Sequence, residues 1–189
     1  MLMATKTARW TRADLERLPD DGNRYEVLDG RLLVTPQASP RHQDAAFFLG
    51  VTLRAWCERH GIGAVVGPGA VVWDDNELQP DVVVIPGPTR LTAEKWDDLP
   101  RAILVVEVLS TSTRSRDLSL KRRAYLRLRI PEYWVVDRFD HRVLVWRPDA
   151  GEAVVVTDVI KWQPRADLPP LEIALDSVLP PSRPDPVGD

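Results

Sequence analysis

Two acids interrupt runs that otherwise read as buried strands. Glu107 falls in the middle of "ILVVEVLS", residues 103–110, and Asp81 opens "DVVVIP", residues 81–86. Taking an unpaired carboxylate out of water costs several kcal/mol, so each acid needs a cation, a hydrogen-bond network or a metal beside it. The segment after Glu107 supplies a partner. On a helical wheel Leu118, Leu120, Ala124, Tyr125 and Leu128 form one apolar face with Lys121 near its centre. Arg122, Arg123, Arg127 and Arg129 project to other faces, and Asp117 lies one turn before Lys121. Two acids and one amine therefore converge from neighbouring strands and one helix. An Asp and a Glu without a nearby histidine pair suit a hard divalent cation, Mg²⁺ above all with Mn²⁺ as a substitute, better than zinc. A lysine beside such an ion can orient or deprotonate a water, or neutralise charge on a phosphorus centre. The rival for Glu107 and Lys121 is a buried structural ion pair, for which a second buried acid at Asp81 has no use.

These groups need a scaffold. "TRADLERLP" reads as a short helix stopped by Pro19, and "RYEVLDGRLLVTP" as a hairpin turning at Asp29-Gly30. Ser39 as N-cap, Pro40 after it and Gly61 as the stop bound a long amphipathic helix that carries Ala45, Phe48, Leu49, Thr52, Leu53 and Trp56 inward. "IGAVVG", "AVVWD" and "PDVVVIP" read as consecutive strands of one sheet, and "AILVVEVLS" as a central strand buried on both faces. "STSTRSRD" reads as a polar loop and "LSLKRRAYLRLRI" as a helix, followed by "EYWVVDR", "RVLVWRP" and "EAVVVTD" as strands. The strand-helix-strand order around Glu107 and Tyr133 predicts a parallel pair. One α/β domain over residues 1–179 results, a mixed sheet flanked by helices, with a Pro-rich and disordered tail over 180–189.

"PDVVVI", "VVEVLS", a lysine on the following helix and "YWVVD" on the next strand together resemble the PD-(D/E)XK nuclease superfamily. More narrowly they resemble its Uma-type restriction endonuclease family, over most of the chain from "RYEVLDGRLLVTP" and "SPRHQ" to "RVLVWR". The resemblance implies a restriction-endonuclease-like core and Mg²⁺-dependent hydrolysis of DNA, with Asp81, Glu107 and the backbone carbonyl of Val108 holding the metal. Where the superfamily's plain E-x-K pattern has lysine, position 109 is Leu, and the resemblance implies that Lys121 takes over that role. It also implies an additional acid at Glu26 and a polar residue at the site's entrance in His42. Read without the resemblance, Glu26 could face solvent and His42 could be an exposed residue of its helix's first turn.

Composition narrows the alternatives. A net charge of −3 argues against non-specific coating of nucleic acid, yet residues 114–129 hold seven Arg or Lys against the single acid Asp117. That excess is either a solvated helix face or a phosphate contact through Arg114, Arg116 and Arg122. The single cysteine, Cys57, excludes an internal disulfide and a multi-cysteine zinc site. The start "MLMATKTARW" lacks the apolar core of a signal peptide, and no apolar run spans a membrane, so a soluble cytoplasmic protein is expected. The seven tryptophans read as core and rim residues. A non-catalytic DNA-binding or assembly module on the same fold is the rival function. The edge of the late meander could pair two copies, which predicts a homo-oligomer, a dimer.

Overall fold

The computed structural model describes residues 9–181, so most of the expected tail over 180–189 lies outside the described residues. Thr11 and Asp14 close a capping box on α1 (Arg12–Leu15). β1 (Arg24–Leu28) and β2 (Arg31–Thr35) form the expected hairpin, whose turn residues Asp29 and Gly30 both take positive φ, 50° and 80°. A two-residue turn of this hand requires that conformation at both positions, which Asp-Gly accepts. α2 (Pro40–His60) starts after Ser39 and ends at Gly61 with φ 61°, and it buries Ala45, Ala46, Leu49, Leu53, Trp56 and Cys57. Phe48 sits at the margin of that face and Phe47 stands out in solvent, so the buried stripe is turned slightly from the predicted one.

The next strands are β3 (Gly63–Val66), β4 (Val71–Trp73), β5 (Asn76–Leu78) and β6 (Val82–Pro86). They do not form one sheet, contrary to the sequence reading. A tight turn pairs β4 with β5, and β5 then joins β1, giving a four-stranded sheet in the order β2-β1-β5-β4. The Asn76 side chain fixes this junction by accepting a hydrogen bond from the Asp29 backbone N–H at 2.7 Å. Runs of β-branched residues mark strands but not their partners, and here the turn lengths decide the pairing.

The remaining elements complete a six-stranded sheet, β10-β9-β8-β7-β6-β3. It contains β7 (Leu104–Val108), β8 (Glu132–Asp137), β9 (Arg142–Trp146) and β10 (Val154–Val156). β7 and β8 are parallel, as expected, and α3 connects them. α3 covers residues 114–127, α-helical over Arg114–Arg116, π-helical over Asp117–Lys121 and α-helical again over Arg122–Arg127. It begins inside the stretch expected to be loop, because the carbonyl of Ser110 accepts from Arg114 N and that of Thr113 from Asp117 N, each at 3.0 Å. A ribbon of β11 (Val159–Trp162) and β12 (Leu171–Ala174), followed by α4 (Leu175–Val178), closes one face and was not legible from the sequence.

Every residue of β7 is buried, with Leu104, Val106 and Val108 facing α2 and the ribbon. Val105 and Leu109 face α3, Tyr125 and Tyr133. Glu107 alternates with these two, so it lies on the α3 face. Trp162 of the ribbon packs against both Trp56 and Trp134, which gives these three tryptophans a core role.

Candidate active site

Strand register brings the acids together. Val82 stands opposite Val106 in the antiparallel β6–β7 pair, and one step further along that register sets Asp81 opposite Glu107. Cross-strand partners share a sheet face, with Cβ atoms about 5 Å apart. Asp81 ends the ladder itself: its Oδ2 accepts the Val108 N–H at 2.8 Å in place of a backbone carbonyl. In an antiparallel pair a residue's N–H and C=O face the same neighbour, so the Val108 carbonyl is directed to this edge as well.

The two sheets and α3 supply the other charges. Lys121 Nζ lies 2.9 Å from Glu107 Oε1, 2.9 Å from Glu26 Oε1 and 3.7 Å from Asp117 Oδ1, with 3% of its side chain exposed. Tyr125 donates to Glu107 Oε1 at 3.1 Å, and Gln79 N donates to Glu26 Oε1 at 2.7 Å. Arg24 donates through both terminal nitrogens to Asp81 Oδ1 at 3.1 Å and also to the Gln79 carbonyl. His42 Nε2 is 3.1 Å from Asp81 Oδ2 but is not aligned for a hydrogen bond, and neither ring nitrogen has a hydrogen-bond partner. Glu26 Oε2 and Asp117 Oδ1 are buried without a hydrogen-bond partner too. A cleft of about 230 Å³ opens onto Asp81, Glu107, Lys121 and His42.

Electrostatics set the protonation. Burial alone would raise the Asp81 pKa, but His42, Arg24 and the Val108 N–H outweigh it and hold the carboxyl below its usual range. Glu107 goes the other way, since burial pushes its pKa well up, Lys121 opposes only in part, and Asp117, Asp81 and Glu26 add to the rise. Burial likewise raises Asp117. Lys121 is pulled down by burial but raised on balance by Glu107, Glu26 and Asp117, so it stays an ammonium. Glu26, Asp81, Glu107 and Asp117 thus face Lys121 and Arg24, an excess of acid that a divalent cation would balance. Among the described residues no three His, Cys, Asp or Glu side chains converge as a metal cage. Two carboxylates, a carbonyl and waters are a sparse ligand set of the kind that suits Mg²⁺. Cys57, buried in α2 with its thiol pushed up to about 12 by burial, is not a nucleophile.

The model of a family described as "Uma2: Putative restriction endonuclease" matches residues 12–177. The chain belongs to the Uma2 family. Among solved structures, a crystal structure described as a putative nuclease belonging to DUF820, from Anabaena variabilis, superposes with a TM-score of 0.71 at 15% identity. The match covers 89% of this chain and 97% of that one. At such identity the likeness establishes the fold, the mixed α/β architecture with a central mixed sheet. No curated protein matches the chain. Among the described residues no helix is long and apolar enough to cross a membrane.

In this Uma2 chain Glu26, Asp81, Glu107, Lys121 and His42 share one cluster, with Val108 at its edge. Arg24, Asp117 and Tyr125 belong to it as well. The spacing of Asp117 and Lys121 signalled a shared face, and Arg24 is two residues from Glu26 on one strand, but nothing local marked Tyr125 as polar contact rather than filler. The three arginines expected at phosphates do not line the cleft. Arg114 pairs with Asp137 and Asp140, each at 2.9 Å. Arg116 donates to the carbonyls of Val34 and Ser112, and Arg122 lies over the Trp146 ring at 5.7 Å. Local charge excess is answered by acids and carbonyls distant in sequence, which a charge count along one segment does not see. The cations that do line the cleft are Arg24, Lys121 and Arg138.

Proposed function

We propose that this Uma2 protein is a Mg²⁺-dependent endonuclease that hydrolyses phosphodiester bonds in DNA, with Mn²⁺ able to substitute. The observation that carries this reading is the buried excess of carboxylates around one ammonium at the floor of an open cleft. Asp81 and Glu107, with the Val108 carbonyl, would hold the ion. When bound, it supplies Lewis acidity toward a phosphate oxygen and lowers the pKa of a bound water. The chain's own residues do the rest. Asp81 is kept ionised by His42 and Arg24 and so is ready to ligate at neutral pH. Lys121 is held charged by three carboxylates and therefore orients water or offsets phosphate charge as a donor, not as a base. Glu26 anchors the ammonium through the same Oε1 that accepts from Gln79, and Tyr125 donates to the same Glu107 Oε1 that Lys121 contacts. The substrate is contacted through its phosphates, and a homodimer is the assembly.

One observation favours a second reading, a non-catalytic DNA-binding or assembly module: Lys121 is fully engaged by acids and almost inaccessible. Plasmid DNA incubated with Mg²⁺ or Mn²⁺ separates the two. We expect nicking that EDTA, Asp81→Asn and Glu107→Gln each abolish, with calorimetric Mg²⁺ binding lost in Asp81→Asn. DNA retention in a gel shift without cleavage under any metal would select the module.

A further inference from the structure

We propose that a second groove beside the acid cluster receives one unpaired nucleobase stacked on Phe47, which makes single-stranded or locally unpaired DNA the substrate class; this rests on the nuclease reading above. The groove measures about 560 Å³ and runs along the outer face of α2 to Asp81. Arg24, Thr35 and Asp81 line both this groove and the acid cleft, so a strand whose phosphate reaches Asp81 continues into it.

Its wall is apolar where a soluble helix would normally be polar. Phe47 is 74% exposed and Val51, one turn later on the same face, is 51% exposed. Between them Gly50 forms an open floor, since a Cβ there would meet only Val82 Cγ2, at 4.0 Å. The rim is polar, with Asn23, Gln37 and Gln43 carrying amides and Arg54 a guanidinium one turn beyond Gly50. A flat aromatic face with hydrogen-bonding edges matches that arrangement, whereas an aliphatic partner would leave the amides unsatisfied. Bases in a duplex have both faces covered, so only an unpaired one can stack on Phe47.

The test uses the full chain in EDTA, where no cleavage interferes. Phe47→Trp places a reporter whose emission a stacked base quenches. An oligo-thymidine single strand should quench it and the same strand in a duplex should not. Phe47→Ala should lower single-strand affinity by about tenfold, the loss of one stacked base. Gly50→Leu should do the same by filling the floor, and because leucine favours a helix more than glycine does, the fold is retained. Unquenched Phe47→Trp, with unaltered affinity in Phe47→Ala and Gly50→Leu, overturns the base site. So does a dimer that Phe47→Ala dissociates, because a second copy would then occupy the groove. Quenching by a single strand without cleavage of any substrate would retain the base site and reject the nuclease.

Discussion

Replacing Lys121 by methionine removes one ammonium and keeps the volume of the stem. In the folded chain Lys121 answers Glu26 and Glu107 at 2.9 Å and Asp117 at 3.7 Å, and all of these groups are buried. Breaking a buried pair from one side costs about 3–5 kcal/mol, because the charge left behind is neither solvated nor paired. At about 2–4 °C of Tm per kcal/mol for a domain of this size, the melting point should fall by about 10 °C. The loss must depend on pH. Lys121 has its folded pKa raised, so its contribution is fully present at and below neutral pH. Without it Glu107, already pushed up by burial, rises further. A group with a raised folded pKa binds its proton more tightly in the native state, so stability of Lys121→Met falls as pH climbs above the ordinary carboxylate range. Urea denaturation followed by tryptophan fluorescence at about pH 5 and about pH 8 should show the larger deficit at the higher pH. Adding Glu107→Gln should recover part of it. A Lys121→Met protein as stable as its parent at both pH values, or one whose deficit is the same at both, would refute the charge account of the cluster.

Mg²⁺ should bind more tightly as pH rises through the elevated Glu107 value, because binding must displace that proton; calorimetry in two buffers of different ionisation enthalpy would show the release. Arg114→Ala should destabilise the fold by about 1.5 kcal/mol, since Asp137 is fully buried and loses a charged donor, and should leave DNA affinity unchanged in a filter assay. Arg138→Ala, by contrast, removes a guanidinium from the cleft wall. It should weaken all DNA sequences about equally and reduce the slope of log K against log salt by about 0.9.

The sequence made the acids and the lysine visible because each breaks a pattern: a carboxylate in a β-branched run, an ammonium on an apolar helix face. Strand existence was legible for the same reason. Pairing was not. The hairpin of β4 and β5 left the main sheet through a turn that its apolar content does not record, and the ribbon of β11 and β12 is too short and too mixed to stand out. The partners of these arginines, Asp137 and Asp140 for Arg114 and the Val34 carbonyl for Arg116, were not legible because they are close only after folding.

The π-helical stretch Asp117–Lys121 has a consequence for how such a protein can change. A π turn is an α-helix that has accommodated one extra residue, and it rotates everything before it relative to everything after it. Asp117 and Lys121 face the acids through that offset, while Ala124 and Tyr125 after it still face the core. Deleting one residue within the stretch, a change most helix surfaces would absorb, would swing Asp117 and Thr113 away by about a quarter turn and leave the core side untouched. The amine is thereby set by helix phase and not by strand alternation. That frees position 109, two residues after Glu107, to be a fully buried leucine. A single deletion, with no substitution at any charged residue, is enough to turn Asp117 out of the cluster.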